Sequence, residues 1–181
     1  CSATAFKRPV VVGFGPAGMF CALTLAKAGL KPIVIERGGD VTFHGPGQIV
    51  GYPILDLEKV GIGLREYIDA LEQSVIDCLK LWGIEAGRIA GASGVWIEPE
   101  GVRARKICAI GVRSSRYVTM HGFAFNVSTD LRYFSYINPC GFVDKGVTSM
   151  EAELGCKVDI EQVKAELLNQ LKEKLDVKIY K

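Results

Sequence analysis

One arrangement near the front constrains the fold most. Pro9-Val10-Val11-Val12 is followed by Gly13-Phe14-Gly15-Pro16-Ala17-Gly18, then an apolar stretch Met19 to Ala28 closed by Gly29, then Pro32-Ile33-Val34-Ile35-Glu36. This order predicts strand, tight turn, helix and a second strand parallel to the first. Gly13 permits the turn, Gly15 lets backbone approach a phosphate, and Gly18 allows helix to pack on strand. Glu36 stands where a carboxylate would accept hydrogen bonds from a ribose. Gly13, Gly15, Gly18 and Glu36 are therefore cofactor-binding candidates. No second glycine-rich turn follows to hold the other half of a dinucleotide, so the unit reads first as local architecture that binds nothing.

The chain has 181 residues, 49% hydrophobic and 23% charged, with net charge +2. That suits one domain or two small ones and excludes disorder, collagen-like repeats and a polybasic nucleic-acid arm. No apolar run is long enough for a membrane helix, and no secretion signal opens the chain. Six cysteines, with no Cys-x-x-Cys pair, read as reduced thiols in a cytoplasm. His44 and His121 are the only histidines, and no ligand spacing supports a metal site.

Beyond Glu36, Arg37 to Gln48 reads as a glycine-dense loop and Val50 to Leu57 as a strand. Leu64, Ile68, Leu71, Val75, Cys78 and Trp82 recur at helical spacing, with Gly83 as cap. Gly94 to Glu98, Lys106 to Arg113 and Tyr117 to Val127 are predicted strands, the last two adjacent. Pro99 to Gly101 is a turn and Asn138 to Gly141 a loop. Thr148 with Glu151, and Asp159 with Gln162, resemble capping boxes before two closing helices. The second of these, Ile160 to Leu175, carries Val163, Leu167, Leu171 and Leu175 as one stripe.

Chemistry concentrates at a few positions. Cys140 lies between Pro139 and Gly141, a setting either for an exposed thiol with backbone N–H groups near an oxyanion or for a small buried hydrophobe. Lys106 opens an otherwise apolar strand, either as a solvated strand end or facing a thiol, whose pKa it would then lower. Gly122 and Ala124 share a strand face with Asn126, leaving either room for a slender apolar ligand or close packing. His44 and His121 read as polar pocket walls or satisfied core histidines. Arg103, Arg105, Lys106, Arg113 and Arg116 gather positive charge, which is either a solvated strand face or, in some of its members, a means of steering an acidic partner.

Two resemblances are carried by these residues. With Pro16-Ala17, residues 9–41 resemble the N-terminal FAD-binding βαβ unit of a flavin-dependent oxidoreductase. Arg37-Gly38-Gly39-Asp40-Val41-Thr42-Phe43-His44-Gly45-Pro46-Gly47-Gln48 resembles the matching segment of lipoyl(octanoyl)transferases. That likeness continues through Gly51-Tyr52-Pro53, Gly94-Val95-Trp96, Lys106 to Val112, Val118 to Val127, Asp130-Leu131, Pro139-Cys140-Gly141, Val147 to Ser149 and Glu153 to Gly155. It spans residues 36–175 and implies a lipoate/biotin-ligase-like α/β (α+β) fold, a mixed sheet flanked by helices, preceded here by the Rossmann-type unit. It implies octanoyl transfer from acyl carrier protein to a lysine of lipoyl domains, those of 2-oxoacid dehydrogenases or the glycine cleavage H protein. Cys140 would form the thioester and Lys106 would activate it. Arg37 to His44, Ala109-Ile110-Gly111 and Gly122-Phe123-Ala124 would line the acyl site. No cofactor is required; FAD is the disfavoured alternative.

The octanoyltransferase likeness does not reach the segment ahead of Arg37. Ile35 to Val41 suits both resemblances. The expectation is therefore a chimera: residues 1–41 as a dinucleotide-type fragment, 36–181 as a catalytic domain lacking its usual front, with an acyl pocket open on one side. Cys1 in place of Met agrees with a missing start. The competing readings are a flavin-dependent oxidoreductase fragment, an ATP-using lipoate or biotin ligase, and a catalytically incomplete chimera.

Overall fold

The structure, a computed structural model, describes residues 10–12, 33–38, 40–136 and 146–175, with side chains described over 44–134 and 146–175. The chain divides into two compact units. Cys1–Pro46 groups with Asp130–Val143, and Gly47–Thr129 groups with Asp144–Lys181.

In the first unit, β1 (Val10–Val12) runs parallel to β2 (Ile33–Gly38), with Val10 opposite Ile33 and Val12 opposite Ile35. This is the parallel pairing expected of these two strands. The expected helix Met19 to Ala28 and the glycines Gly13, Gly15 and Gly18 lie outside the described residues. The loop expected from Arg37 is instead largely strand: β2 runs on to Gly38, and a third strand follows. β3 (Asp40–His44) pairs antiparallel with β2, from Gly38 opposite Asp40 to Val34 opposite His44. Val41, Thr42 and Phe43 favour extended backbone, and that outweighs the glycines around them. After β3 the chain turns only over Gly45 to Gly47. A 3₁₀ stretch, Leu131–Tyr136, also belongs to this unit.

In the second unit, β4 (Gln48–Gly51), β5 (Gly87–Ile89), β6 (Ala92–Ile97), β7 (Arg105–Ser115) and β8 (Val118–Asn126) form one sheet in the order β4-β8-β7-β6-β5. These pairs are antiparallel. β9 (Gly146–Val147) adds a short parallel pairing to the start of β7. The strand expected over Val50 to Leu57 ends at Gly51. Pro53 has no N–H to donate to a ladder, and Asp56 caps a short helix α1 (Leu57–Val60) by accepting from the Lys59 N–H at 3.3 Å.

Helix α2 (Leu64–Leu81) follows the predicted periodicity, with Tyr67, Leu71, Val75, Cys78 and Leu79 buried. It ends as Gly83 predicts. Gly83 N–H reaches the Lys80 carbonyl at 3.0 Å and Ile84 N–H the Leu79 carbonyl at 3.1 Å, with Gly83 at φ +71. Helix α3 (Met150–Leu154) is capped by Ser149, not Thr148: Ser149 accepts from the Ala152 N–H, and the Thr148 hydroxyl turns to Glu153 instead. Helix α4 (Ile160–Leu175) buries Val163, Leu167, Leu171 and Leu175 as expected. Asp159 accepts from the Glu161 N–H at 2.9 Å, while Gln162 bonds Glu166 instead of returning to the cap. The helices α2 and α4 pack together, and Trp82 Nε1 donates to Glu166 at 2.6 Å across their interface. The core lies between this pair and one face of the sheet, where Val95, Ile97, Ile107, Cys108, Ile110, Phe123 and Phe125 are buried.

Candidate active site

Two of the three segments expected to line an acyl site are cross-strand partners. In the β7–β8 hairpin, Ala109 stands opposite Ala124, Ile110 opposite Phe123 and Gly111 opposite Gly122. Alternation sends Ile110 and Phe123 into the core and leaves four small residues on the other face. The strip is not uniform. At Gly122 a Cβ would overlap the Gly51 carbonyl and meet the Pro53 ring, so the β8 side is closed by close packing. At Gly111, directly opposite, a Cβ would meet nothing within 4 Å, so the β7 side is open. His121, just before Gly122, sits at φ +65 and is exposed, with its ring edge-on to Tyr52 at 6.3 Å between centroids. His44, in the first unit, is buried.

Lys106 joins the small-residue face through an irregularity in β7. Straight alternation would give it the same side as Cys108 and Ile110, which is the core. The register slips instead: Val95 faces Cys108 and Trp96 faces Lys106, so one step on β6 spans two on β7. Ile107 is the extra residue of a β-bulge, and both Ile107 and Cys108 point into the core. Lys106 is turned out beside Trp96, and its Nζ lies 4.6 Å from that ring's centroid. The face of an indole attracts an ammonium, which holds the charge in place.

A chain of polar groups surrounds this position. The Lys106 carbonyl accepts from the Thr148 N–H at 3.0 Å. The Thr148 carbonyl accepts from Asn126 Nδ2 at 3.0 Å, and Asn126 Oδ1 accepts from Gln48 Nε2 at 2.8 Å. Asn126 is buried at 3% exposure, so these bonds satisfy an amide that would otherwise be costly to bury. Sequence reasoning placed Asn126 on the small face but missed its bonds, and it missed Trp96 as the partner of Lys106. The sequence trace of the bulge that joins them is Gly94, a glycine inside β6 beside the register slip.

The thiols separate by environment. Burial pushes the Cys78 thiol up to about 12. Burial also raises the Cys108 thiol far above its ordinary range, and Lys106 offsets this only in part. Both are inert at neutral pH. Cys156 is exposed. Cys140, with Pro139 and Gly141, lies outside the described residues, as do the side chains of Glu36 to Phe43. β9 ends at Val147, seven residues after Cys140, and Val147 pairs with Lys106.

Not all the gathered arginines are available to a partner. Arg105 is tied to Glu153 at 2.6 Å and to Glu98 at 2.9 Å, and Arg103 also leans on Glu98. Arg113 and Arg116 are exposed and make no ion pair among the described residues. Among those residues, no group of three or more His, Cys, Asp or Glu could hold a metal ion. No described helix is long and apolar enough to cross a membrane.

Comparisons with known proteins fit this geometry. The family model for the lipoyl protein ligase A/B catalytic domain matches residues 20–172, so it takes in part of the segment ahead of Arg37. Octanoyltransferase of Bacteroides fragilis is 55% identical over 170 residues, covering 91% of this chain and 77% of that protein. Octanoyltransferase of Bacteroides thetaiotaomicron is 60% identical over 166 residues, covering 89% and 73%. Octanoyltransferase of Porphyromonas gingivalis is 63% identical over 134 residues, covering 74% of this chain but 27% of its own length. Among solved structures, biotin protein ligase from Aquifex aeolicus in complex with biotin and ATP aligns with TM-score 0.61 at 16% identity, over 93% of this chain and 68% of that one. Lipoate-protein ligase A bound with ATP aligns with TM-score 0.58 at 16% identity, over 97% and 72%. The structural likenesses establish the lipoate/biotin-ligase-like fold, and the family match with the sequence relatives establishes more: the chain belongs to the lipoyl protein ligase A/B catalytic domain family, among its octanoyltransferases, which are acyltransferase enzymes.

Proposed function

We propose that this chain takes an octanoyl group from the thioester of an acyl carrier protein and delivers it to a lysine of a lipoyl domain, with Cys140 as nucleophile and Lys106 as proton carrier. The observation that carries the reading is Lys106, turned out of the core onto the small-residue face and held over Trp96. The Pro139-Cys140-Gly141 motif and the inertness of Cys78 and Cys108 support Cys140 as the reacting thiol.

The steps balance without a cofactor. Lys106 accepts the Cys140 proton. The thiolate attacks the donor carbonyl, the new S–C bond forms, and the carrier's thiolate leaves with the proton from Lys106. The acceptor lysine's amine then attacks the octanoyl-Cys140 thioester. An amide forms, the Cys140 thiolate departs, and Lys106 takes the amine proton and returns it to sulfur. The octanoyl chain lies along Ala109, Gly111 and Ala124, with Ile110 and Phe123 behind them, and Gly122, close-packed on Gly51 and Pro53, bounds the strip. The family motif adds Arg37, Gly38, Gly39, Asp40, Val41, Thr42, Phe43 and His44 to the residues that receive it. Arg113 and Arg116, without an ion pair among the described residues, face the acidic carrier. The acceptors are lipoyl domains of 2-oxoacid dehydrogenases or the glycine cleavage H protein. A thiol nucleophile of this kind works in a reducing cytoplasm.

Intact-mass measurement after mixing with octanoyl-acyl carrier protein tests this. One octanoyl adduct is expected without ATP, lost in Cys140→Ser and slowed in Lys106→Ala. An adduct that persists in Cys140→Ser defeats the nucleophile assignment. An adduct that forms only with ATP marks a ligase.

A further inference from the structure

The bulge that turns Lys106 outward is held from behind by a buried carboxylate. Glu72 sits midway along α2 and is 2% exposed. Its Oε1 accepts from the Gly94 N–H at 2.9 Å, and its Oε2 accepts from Arg88 Nε at 2.8 Å. Arg88 is fixed in turn by the Asp69 carbonyl at 3.1 Å and Gln73 Oε1 at 2.9 Å. Gly94 is the β6 residue next to the register slip. It adopts φ +118, and a Cβ there would stand 2.5 Å from the Cys108 carbonyl oxygen and 3.6 Å from Lys106 Cδ. Backbone in this conformation points its N–H away from the β6–β7 ladder, so the donor needs another acceptor. Glu72 is that acceptor. Burying a carboxylate is costly, and this one takes a single main-chain N–H and one guanidinium as its bonds.

We infer that Glu72 is a positioning residue for the transfer reaction: through Gly94 it pins the β6–β7 bulge that aims Lys106 at the small-residue face. This rests on the reading of Lys106 as proton carrier. Without the pin, the slip between Val95 and Trp96 is free to relax toward straight alternation, which would return Lys106 to the side of Cys108 and Ile110.

A double-mutant cycle on the full chain tests it. The readout is the rate of octanoyl-enzyme formation from octanoyl-acyl carrier protein by intact mass, followed for days in the slow variants. Circular dichroism confirms that each variant is folded. Glu72→Gln is expected to slow adduct formation on the order of tenfold in the otherwise native chain, and by less than about twofold in a Lys106→Ala background. Equal slowing in both backgrounds, or none in the native one, overturns the inference. Native-rate adduct formation in Lys106→Ala alone overturns the underlying reading instead. If Glu72→Gln does not fold, Arg88→Gln, on a half-exposed side chain, carries the same cycle with the same criteria.

Discussion

Gly111 and Gly122 face each other across β7 and β8 yet answer to different constraints. Gly122→Ala would drive a methyl into the Gly51 carbonyl, a backbone atom that cannot yield cheaply. The expected loss is about 1–3 kcal/mol in urea denaturation, whereas Gly111→Ala should leave the midpoint nearly unchanged. Glu153 behaves differently because it titrates. The Arg105 guanidinium holds its carboxyl below the usual range, with burial working against and Thr148 adding to the effect. A depressed folded pKa gives stability that is present above the unfolded value, about 4.3 for glutamate, and lost as pH falls through the folded one. Glu153→Gln should therefore be less stable than the native chain at neutral pH, with the gap closing in acid. A gap that is constant down to the acid limb would disprove the linkage. Lys106 was legible as a residue of interest because a lysine opens an apolar strand. Its contact with Trp96 was not, because strand parity alone sends it into the core and only the bulge reverses that.

Among elements, the helices were the most legible. The stripe on α4 and the glycine stop of α2 were written in residue spacing, and both formed as expected. The strands were less legible. Asp40 to His44 hid behind neighbouring glycines, and the strand expected beyond Gly51 gave way at Pro53. The β7–β8 turn is unusual in another way. Arg116 and Tyr117 both take positive φ, 50 and 65 degrees, where asparagine and glycine are the comfortable choices. Giving the turn those comfortable residues would not be a neutral change. Arg116→Asn combined with Tyr117→Gly should stabilise the chain by roughly 1 kcal/mol in urea while weakening reaction with the carrier.

For the molecule as a whole, the transferase motifs scattered from Arg37 to Gly155 were enough to name the family, because their order in sequence survives whatever the fold does between them. The grouping of Asp130–Val143 with Cys1–Pro46 was not readable, since a segment remote in sequence joins the first unit. Two measurements probe the intact chain. Purified protein should show no flavin absorption, since one glycine-rich turn holds only half of a dinucleotide; a yellow protein would revive the oxidoreductase reading. Reversing charge at Arg113 and Arg116 together should flatten the salt dependence of the donor reaction, and an unchanged dependence would remove these arginines from docking.

The two inert thiols also make the molecule its own clock. Cys78 lies in the α2–α4 interface and Cys108 inside the sheet core. An alkylating reagent can reach each only when its layer opens. Timed labelling followed by peptide mass analysis would therefore report the opening of the helical layer and of the sheet separately, without a single introduced probe. If the two sulfurs label at one common rate, the helices and the sheet come apart together.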